Sequence, residues 1–368
     1  MNNTILSQKM IKKLIEQIDS DSTYKNSLVI GDMHFGIKQN SLIWLSKQVE
    51  FFKKQIIPLI EHSEELNLDA VVFLGDLFDI RQSLNVVVAN TVFKVISELI
   101  DIAKANNCNV YMLGGNHDYY SPFQEKCEIN NYNILFGEDF QRYRKNLHIN
   151  TKGVSKLWKH DKYMMILPWF ETEVKENFVN NLKEAKADPN CIGIYAHTDL
   201  FVISDMETLK LVNNFNKPIY SGHIHYQTFN EYKKLYNLGA ACAFTFNDSN
   251  QDRFIYIINE NSNKIIRIKN ETTPEFKTIA YQKTKTDLDS LQPDNYYRFQ
   301  CQPDDIKTLR KEISQSQLKN VTIQIQFNSV TAKSERTIKT NNINEFITKN
   351  MPSNLIKTFN ETVKKYKN

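Results

Sequence analysis

The chain has 368 residues, 41% hydrophobic and 24% charged, which is enough apolar material for a packed fold of roughly two or three domains and excludes global disorder. No apolar run approaches the roughly 18–20 residues that span a bilayer, and the first 27 residues hold no apolar signal core. A soluble cytoplasmic protein is therefore expected, in a host cytoplasm if the source is viral. The formal net charge is +4, but residues 1–250 sum to −3 and residues 251–368 to +7, with +5 of that in 331–368. An anionic partner would be helped by the rear of the chain, although a solvated lysine surface gives the same count. The five cysteines are odd in number and none is in C-x-x-C spacing. That argues against a disulfide framework or a thiolate zinc site and for a reducing compartment.

In chain order, Ile5, Met10, Ile11, Leu14, Ile15 and Ile18 recur at helical spacing. They predict a short amphipathic helix packed on the outside of the fold, or a partner-binding one. A repeated pattern follows, in which a short apolar run ends in a cluster of Gly, Asp, Asn or His. Leu28-Val29-Ile30 leads into Asp32 and His34. Residues 70–74 lead into Gly75-Asp76 and Asp79. Residues 110–113 lead into Gly115-Asn116-His117-Asp118. Residues 192–196 lead into His197, and Pro218-Ile219-Tyr220 leads into Gly222-His223-Ile224-His225. Helical patterns at 42–66 and Val86–Ala105 separate the first three runs, so strand alternates with helix and an α/β fold is expected. The second helix is apolar on more than one face, as suits burial between layers or a contact with a second subunit. From residue 254 the pattern changes. Two apolar runs flank the polar turn at 259–264 and predict a hairpin. Tyr296–Cys301, residues 304–314 and residues 321–327 predict a small βαβ unit. Two short helical stretches at 343–349 and 354–366 close the chain.

Singly, these Asp and His residues have ordinary explanations as turn formers or hydrogen-bonded side chains. Together they do not. Of the eight histidines, five (His34, His117, His197, His223 and His225) fall in strand-end loops beside Asp32, Asp76, Asp79, Asn116 and Asp118. Loops after strands converge at one edge of an α/β sheet. The set is all oxygen and nitrogen, which suits Mn²⁺, Fe²⁺ or Zn²⁺. It is too large for one ion. Two ions bridged by one carboxylate, at roughly 3.5–4 Å, would use it, and such pairs serve phosphoester hydrolysis.

Asp32-x-His34, Gly75-Asp76-x-x-Asp79, Gly115-Asn116-His117-Asp118, His197 and Gly222-His223-x-His225, in this order, resemble the five motifs of the calcineurin-like metallophosphoesterases. Within that superfamily the Gly-Asp-Leu-Phe-Asp run at Gly75 to Asp79, the long helices and the later hairpin and βαβ unit look like the nuclease subunit of the double-strand-break repair complex. That group includes the SbcD-type exonuclease subunit and the phage recombination endonuclease subunit. The resemblance implies a four-layer αββα sandwich with a small α+β capping domain and C-terminal helices. It divides the chain into an N-terminal helical extension (1–27), a nuclease domain (28–278), a DNA-capping domain (279–335) and ATPase-binding helices (336–368). It implies two divalent ions, Mn²⁺ foremost. Asp32, His34, Asp76 and His225 would hold one; Asp76, Asn116, His197 and His223 would hold the other, with Asp76 as the bridge. His117 would serve as general acid at the scissile phosphate, with Asp79 fixing its tautomer and raising its pKa. Arg81 would touch phosphate. The implied partners are DNA, an SMC-like ABC ATPase of the SbcC type and a second copy of the chain, with no membrane. The basic, aromatic stretch at 142–162 suits tracking of a nucleic-acid strand, or is an exposed hairpin. The same motifs also serve phosphodiesterases and phosphatases acting on small or protein substrates, and the motifs alone do not choose between them.

Overall fold

The structure is a computed structural model that describes residues 8–18, 23–79, 81, 83–121, 129–137, 140–141, 144–203, 205–283 and 285–325. The tail helices expected at 343–349 and 354–366, together with Cys127, Arg142 and Tyr143, lie outside the described residues.

The first sheet contains β1 (Asn26–Ile30), β2 (Leu68–Phe73), β3 (Asn109–Leu113) and β4 (Leu147–Asn150), all parallel. The second contains β5 (Ser155–Lys159), β6 (Lys162–Leu167), β7 (Cys191–His197), β8 (Ile219–Gly222), β9 (Thr228–Asn230) and β10 (Leu235–Asn237) in the order β5-β6-β7-β8-β10-β9. Its middle four strands are parallel, and β5 and β9 run antiparallel at its edges. The predicted hairpin forms β11 (Phe254–Asn259) and β12 (Lys264–Lys269). It returns to the first sheet, where β11 lies antiparallel to β1.

The apolar strand runs are explained by burial on both faces. In β1, Leu28 and Ile30 join the core under the helices, while Val29 faces the other sheet. In and just beyond β2, Val71 and Phe73 point to the helices, and Ala70, Val72 and Leu74 point between the sheets. Tyr195, Tyr220 and Tyr236 of the second sheet complete this inter-sheet core. Its outer face is covered by the helices Lys175–Ala187 and Met206–Asn213, through Phe178, Leu182 and Val212. Helix, sheet, sheet and helix make the four layers that the motifs implied.

The helices follow their sequence signals. Asn85 caps Val86–Ala105 by accepting a hydrogen bond from the Val87 N–H at 2.8 Å. The predicted helix at 42–66 is observed as Leu42–Phe51 and Ile57–Glu61, joined by a π turn at Phe52–Ile56 just before Pro58. Proline has no N–H to continue the α ladder, so an irregular turn beside it is the expected result. The N-terminal helix Gln8–Ile15 buries Ile11 and Leu14 against the helix-side core, in line with a packing role.

A third, all-parallel sheet is built from β13 (Phe276–Ala280), β14 (Tyr296–Cys301) and β15 (Asn320–Ile325). The helix Ile306–Gln315 crosses between β14 and β15, which is the predicted βαβ unit, and packs Leu309 against Tyr297 and Phe299. This small core docks on the sandwich through aromatic rings. Phe276 and Tyr296 stack at 4.6 Å, and Trp44 stacks on both. No described helix is long and apolar enough to cross a membrane.

Candidate metal centre

Five loops meet where the C-terminal ends of β1, β2 and β3 from one sheet face those of β7 and β8 from the other. The convergence therefore spans two sheets rather than one sheet edge. Asp32, His34, Asp76 and His197 are almost wholly buried there, with Asn116 at the mouth. The backbone is bent to achieve this. His34 (φ 48°), Asp76 (φ 46°) and His223 (φ 86°) all occupy the left-handed region. Non-glycine residues hold that region only where their surroundings enforce it. Close approach is the second requirement. A Cβ on Gly75 would lie 2.4 Å from His197 Nδ1, and one on Gly115 would lie 2.2 Å from the Asp76 nitrogen. Both glycines are thus needed for the loops to interlock.

The donors fall into two sets that share Asp76. On one side, His34 Nε2 and His225 Nε2 point at each other at 3.1 Å, and His225 Nε2 lies 3.9 Å from Asp32 Oδ2. On the other, His197 Nε2 and His223 Nδ1 lie 3.2 and 2.9 Å from Asn116 Oδ1. Asp76 Oδ2 stands between them, 3.8 Å from His34 Nε2 and 3.4 Å from His197 Nε2. Asp32, His34 and His225 form one group able to hold a metal, and Asp76, His197 and His223 form another. A third grouping of His34, Asp79 and His117 shares His34 with the first.

The residues fit cations on chemical grounds. The Asn116 amide oxygen is aimed at the Asp76 carboxylate and at ring nitrogens of His197 and His223, and the Nε2 atoms of His34 and His225 oppose each other; with the imidazoles deprotonated, these are acceptors facing acceptors. A cation between them satisfies all of them at once. Without one, the Asn116 amide is better satisfied turned over, donating to Asp76, His197 and His223 and accepting from Arg81 Nη2 at 3.0 Å. This also places Arg81 beside the site.

Protonation reflects the same crowding. Burial opposes charge on His197, but Asp76 and Asp32 outweigh it and raise the ring to about 9. His34 is also raised: burial works against its charge, and Asp79, Asp76 and Asp32 overcome it. Burial pushes Asp76 up, but His197, His34 and His117 hold it well below the usual carboxylate range. His223 and His225 are lowered, first by burial and then by His197 and His34 respectively. His197 Nδ1 meets the Leu74 carbonyl at 2.7 Å, so that nitrogen carries hydrogen and Nε2 is left as the donor atom.

His117 lies at the edge of the donor sets, its ring 5.0 Å from His34 and its backbone N–H donating to Asp76 Oδ1 at 2.8 Å. The group that meets His117 Nδ1, at 2.7 Å, is the backbone carbonyl of Asp79. The Asp79 carboxylate instead faces His34 Nδ1 at 3.3 Å. The reason is local: Asp79 N–H pairs with the Phe35 carbonyl, which places its side chain toward the first loop. A carbonyl accepts only, so the His117 tautomer is still fixed, with the hydrogen on Nδ1.

The described residues of the basic stretch, 144–162, do not form one surface. Arg144 pairs with Asp101 at 3.2 Å. Lys159 is buried against Asp69 and Glu260, at the end of the sandwich opposite the site. Lys162 covers Tyr24 at that same end. Lys156 and the exposed Trp158 remain together on the edge strand β5.

Several supporting residues carried no sequence signal for their role. Gln48 donates to the carbonyls of Met33 and His34. Asp118 ties the second and third loops by accepting from the Phe78 and Gly115 N–H groups at 3.0 and 2.8 Å. Arg253, paired with Asp248 at 2.8 Å, donates to the His225 carbonyl. Phe244 packs beside His34 and His225. Of these, only Asp118 stood in a motif.

The calcineurin-like phosphoesterase family profile matches residues 26–227. Exonuclease subunit 1 of Enterobacteria phage T4 is 21% identical over 251 residues, which is 67% of this chain and 68% of that protein. Among solved structures, a protein from Thermus thermophilus is 10% identical, covers 67% of this chain and 99% of its own, and has a TM-score of 0.39. Phosphopantetheinyl hydrolase from Mycobacterium tuberculosis is 10% identical, covers 59% and 90% respectively, and has a TM-score of 0.33.

Metal uptake should be coupled to proton loss. His197 keeps its proton up to about pH 9 in the metal-free chain, and a ligand imidazole must be neutral. Apparent Mn²⁺ affinity should therefore rise with pH through the neutral range and level off above about 9. Calorimetry in two buffers of different ionisation enthalpy should show proton release at pH 7. Buffer-independent heats would contradict it.

Proposed function

Because this chain belongs to the calcineurin-like phosphoesterase family, we propose that its metal-dependent hydrolase centre is that of a DNA nuclease, cutting phosphodiester bonds in break repair and recombination. The observation that carries the two-metal reading is the position of Asp76 between His34 and His197, with separate donor sets on either side. In this reading Asp32, His34, Asp76 and His225 hold one ion, and Asp76, Asn116, His197 and His223 the other, Mn²⁺ foremost. Bound ions would supply Lewis acidity to the phosphate and a nucleophile near neutral pH. The chain's own residues do the rest. The Leu74 carbonyl and the Met33–His34 backbone, fixed by Gln48, keep the imidazoles aimed. His117, whose Nδ1–H is held by the Asp79 carbonyl, would in its imidazolium form deliver the second proton, on Nε2, to the leaving oxygen and return to the neutral ring. Arg81, next to Asn116, offers a cation to a non-bridging phosphate oxygen.

DNA as substrate is supported by the likeness to a phage protein named as an exonuclease subunit and by the excess of basic residues after position 250. The alternative is a phosphodiesterase or phosphatase acting on a small or protein substrate. The discriminating experiment runs linear duplex and single-stranded oligonucleotides beside a chromogenic phosphodiester, with Mn²⁺. Cleavage of DNA is expected, and cleavage of the small ester alone would favour the alternative. In the same assay His117→Ala should keep both ions yet lose about 10²–10⁴-fold in turnover. Unchanged turnover would remove His117 from the mechanism.

Two partners belong to the reading. The phage relative is named as a subunit, and the C-terminal segment 336–368 is proposed to bind an SMC-like ABC ATPase. Deleting residues 341–368 should abolish co-purification with such an ATPase while sparing Mn²⁺-dependent cleavage. A second copy of the chain is proposed against the groove lined by Val86, Ala89, Ile129 and Ile134, whose Val86 and Ile134 are 81% and 72% exposed. Light scattering should show a dimer that Val86→Glu converts to a monomer.

A further inference from the structure

Phe244 offers no ligand atom, yet it is 1% exposed and touches both imidazoles of one donor group. Its ring meets His34 edge-on at 5.1 Å and 83°, and His225 at 5.5 Å and 71°. Aromatic pairs in this geometry fix the plane of each ring. That matters for an imidazole, whose nitrogen must aim within a narrow angle to serve as a ligand. The second donor group has a different support. His197 and His223 pack on each other, and His197 is pinned by the Leu74 carbonyl.

The contacts continue behind Phe244. Trp44 lies 6.2 Å away. Its ring stacks on Phe276 at 6.0 Å and 18°, and on Tyr296 at 5.7 Å and 28°. Its Nε1–H donates to Tyr296 Oη at 3.0 Å. Phe276 and Tyr296 are the first residues of β13 and β14, so they report directly on how the third sheet is seated. An unbroken series of rings thus joins the small sheet to His34 and His225 and bypasses His197 and His223.

We propose that Phe244 and Trp44 are positioning residues that couple the docking of the third sheet to the geometry of the Asp32–His34–His225 group. The inference rests on the two-metal reading above and adds an asymmetry to it: one ion site is sensitive to the third sheet and the other is not. Outer contacts that orient metal-binding histidines commonly change affinity by about 10–100-fold when removed.

The test uses the full-length chain without nucleic acid. Mn²⁺ calorimetry and the visible spectrum of the Co²⁺-loaded protein are measured for the wild type, Phe244→Leu, Tyr296→Leu and Tyr296→Phe. Phe244→Leu and Tyr296→Leu should weaken one of two sites by about 10–100-fold, leave the other unchanged and alter the Co²⁺ spectrum. Tyr296→Phe, which keeps the ring and loses only the acceptor of the Trp44 Nε1–H, should weaken that site less than Tyr296→Leu does. If Phe244→Leu fails to fold, Tyr296→Leu, placed away from the donors, still decides. Both affinities unchanged in Tyr296→Leu, or both reduced alike, would overturn the proposal. Since no DNA is present, a chain that binds two ions but cuts no DNA would count against the nuclease reading alone.

Discussion

The Asp76 carboxylate is the point on which this structure turns. It is buried, it faces imidazoles from both sheets, and its loop must stay where it is for either donor set to exist. A lone buried carboxylate is costly, and it persists here only because cationic groups surround it. The surrounding architecture follows from that need. Parallel strands deliver several loops to one mouth. Glycines let those loops interlock without clashing. Backbone carbonyls hold the tautomers of His197 and His117.

Much of the site was legible in the sequence, because each donor follows a strand directly. An apolar run ending in a small residue fixes both the position and the direction of the next side chain, and five such runs in one chain cannot all be coincidental turns. The βαβ unit and the hairpin were legible for the same reason: their periods change sharply at residue 254. The two-sheet character of the mouth was not visible from local pattern. Strands buried on both faces look alike whichever sheet they join, and only the family resemblance supplied the second layer.

What stayed hidden was the role of residues that act at a distance. Phe244 and Trp44 are apolar residues in apolar stretches, so nothing separates them from ordinary core. Gln48 and Arg253 reach the site from remote positions in the chain. Lys159 sits among surface lysines in sequence, yet it is buried with Asp69 and Glu260. Charge counting along the chain therefore overstated how much of the 142–162 stretch is free for an anionic strand. Asp79 gives the subtlest case. The residue does lie beside His117, but its carbonyl makes the contact, and a sequence does not say which end of a residue will work.

The left-handed conformations of His34, Asp76 and His223 bear on transplantation. Copying the seven candidate donor side chains onto another αββα scaffold would not reproduce their aim, because the aim comes from the turns. A successful graft would have to carry whole loops, with their glycines and the neighbouring backbone that keeps each turn from relaxing. The heritable unit of this chemistry is a bend in the main chain, and the side chains are its outer expression.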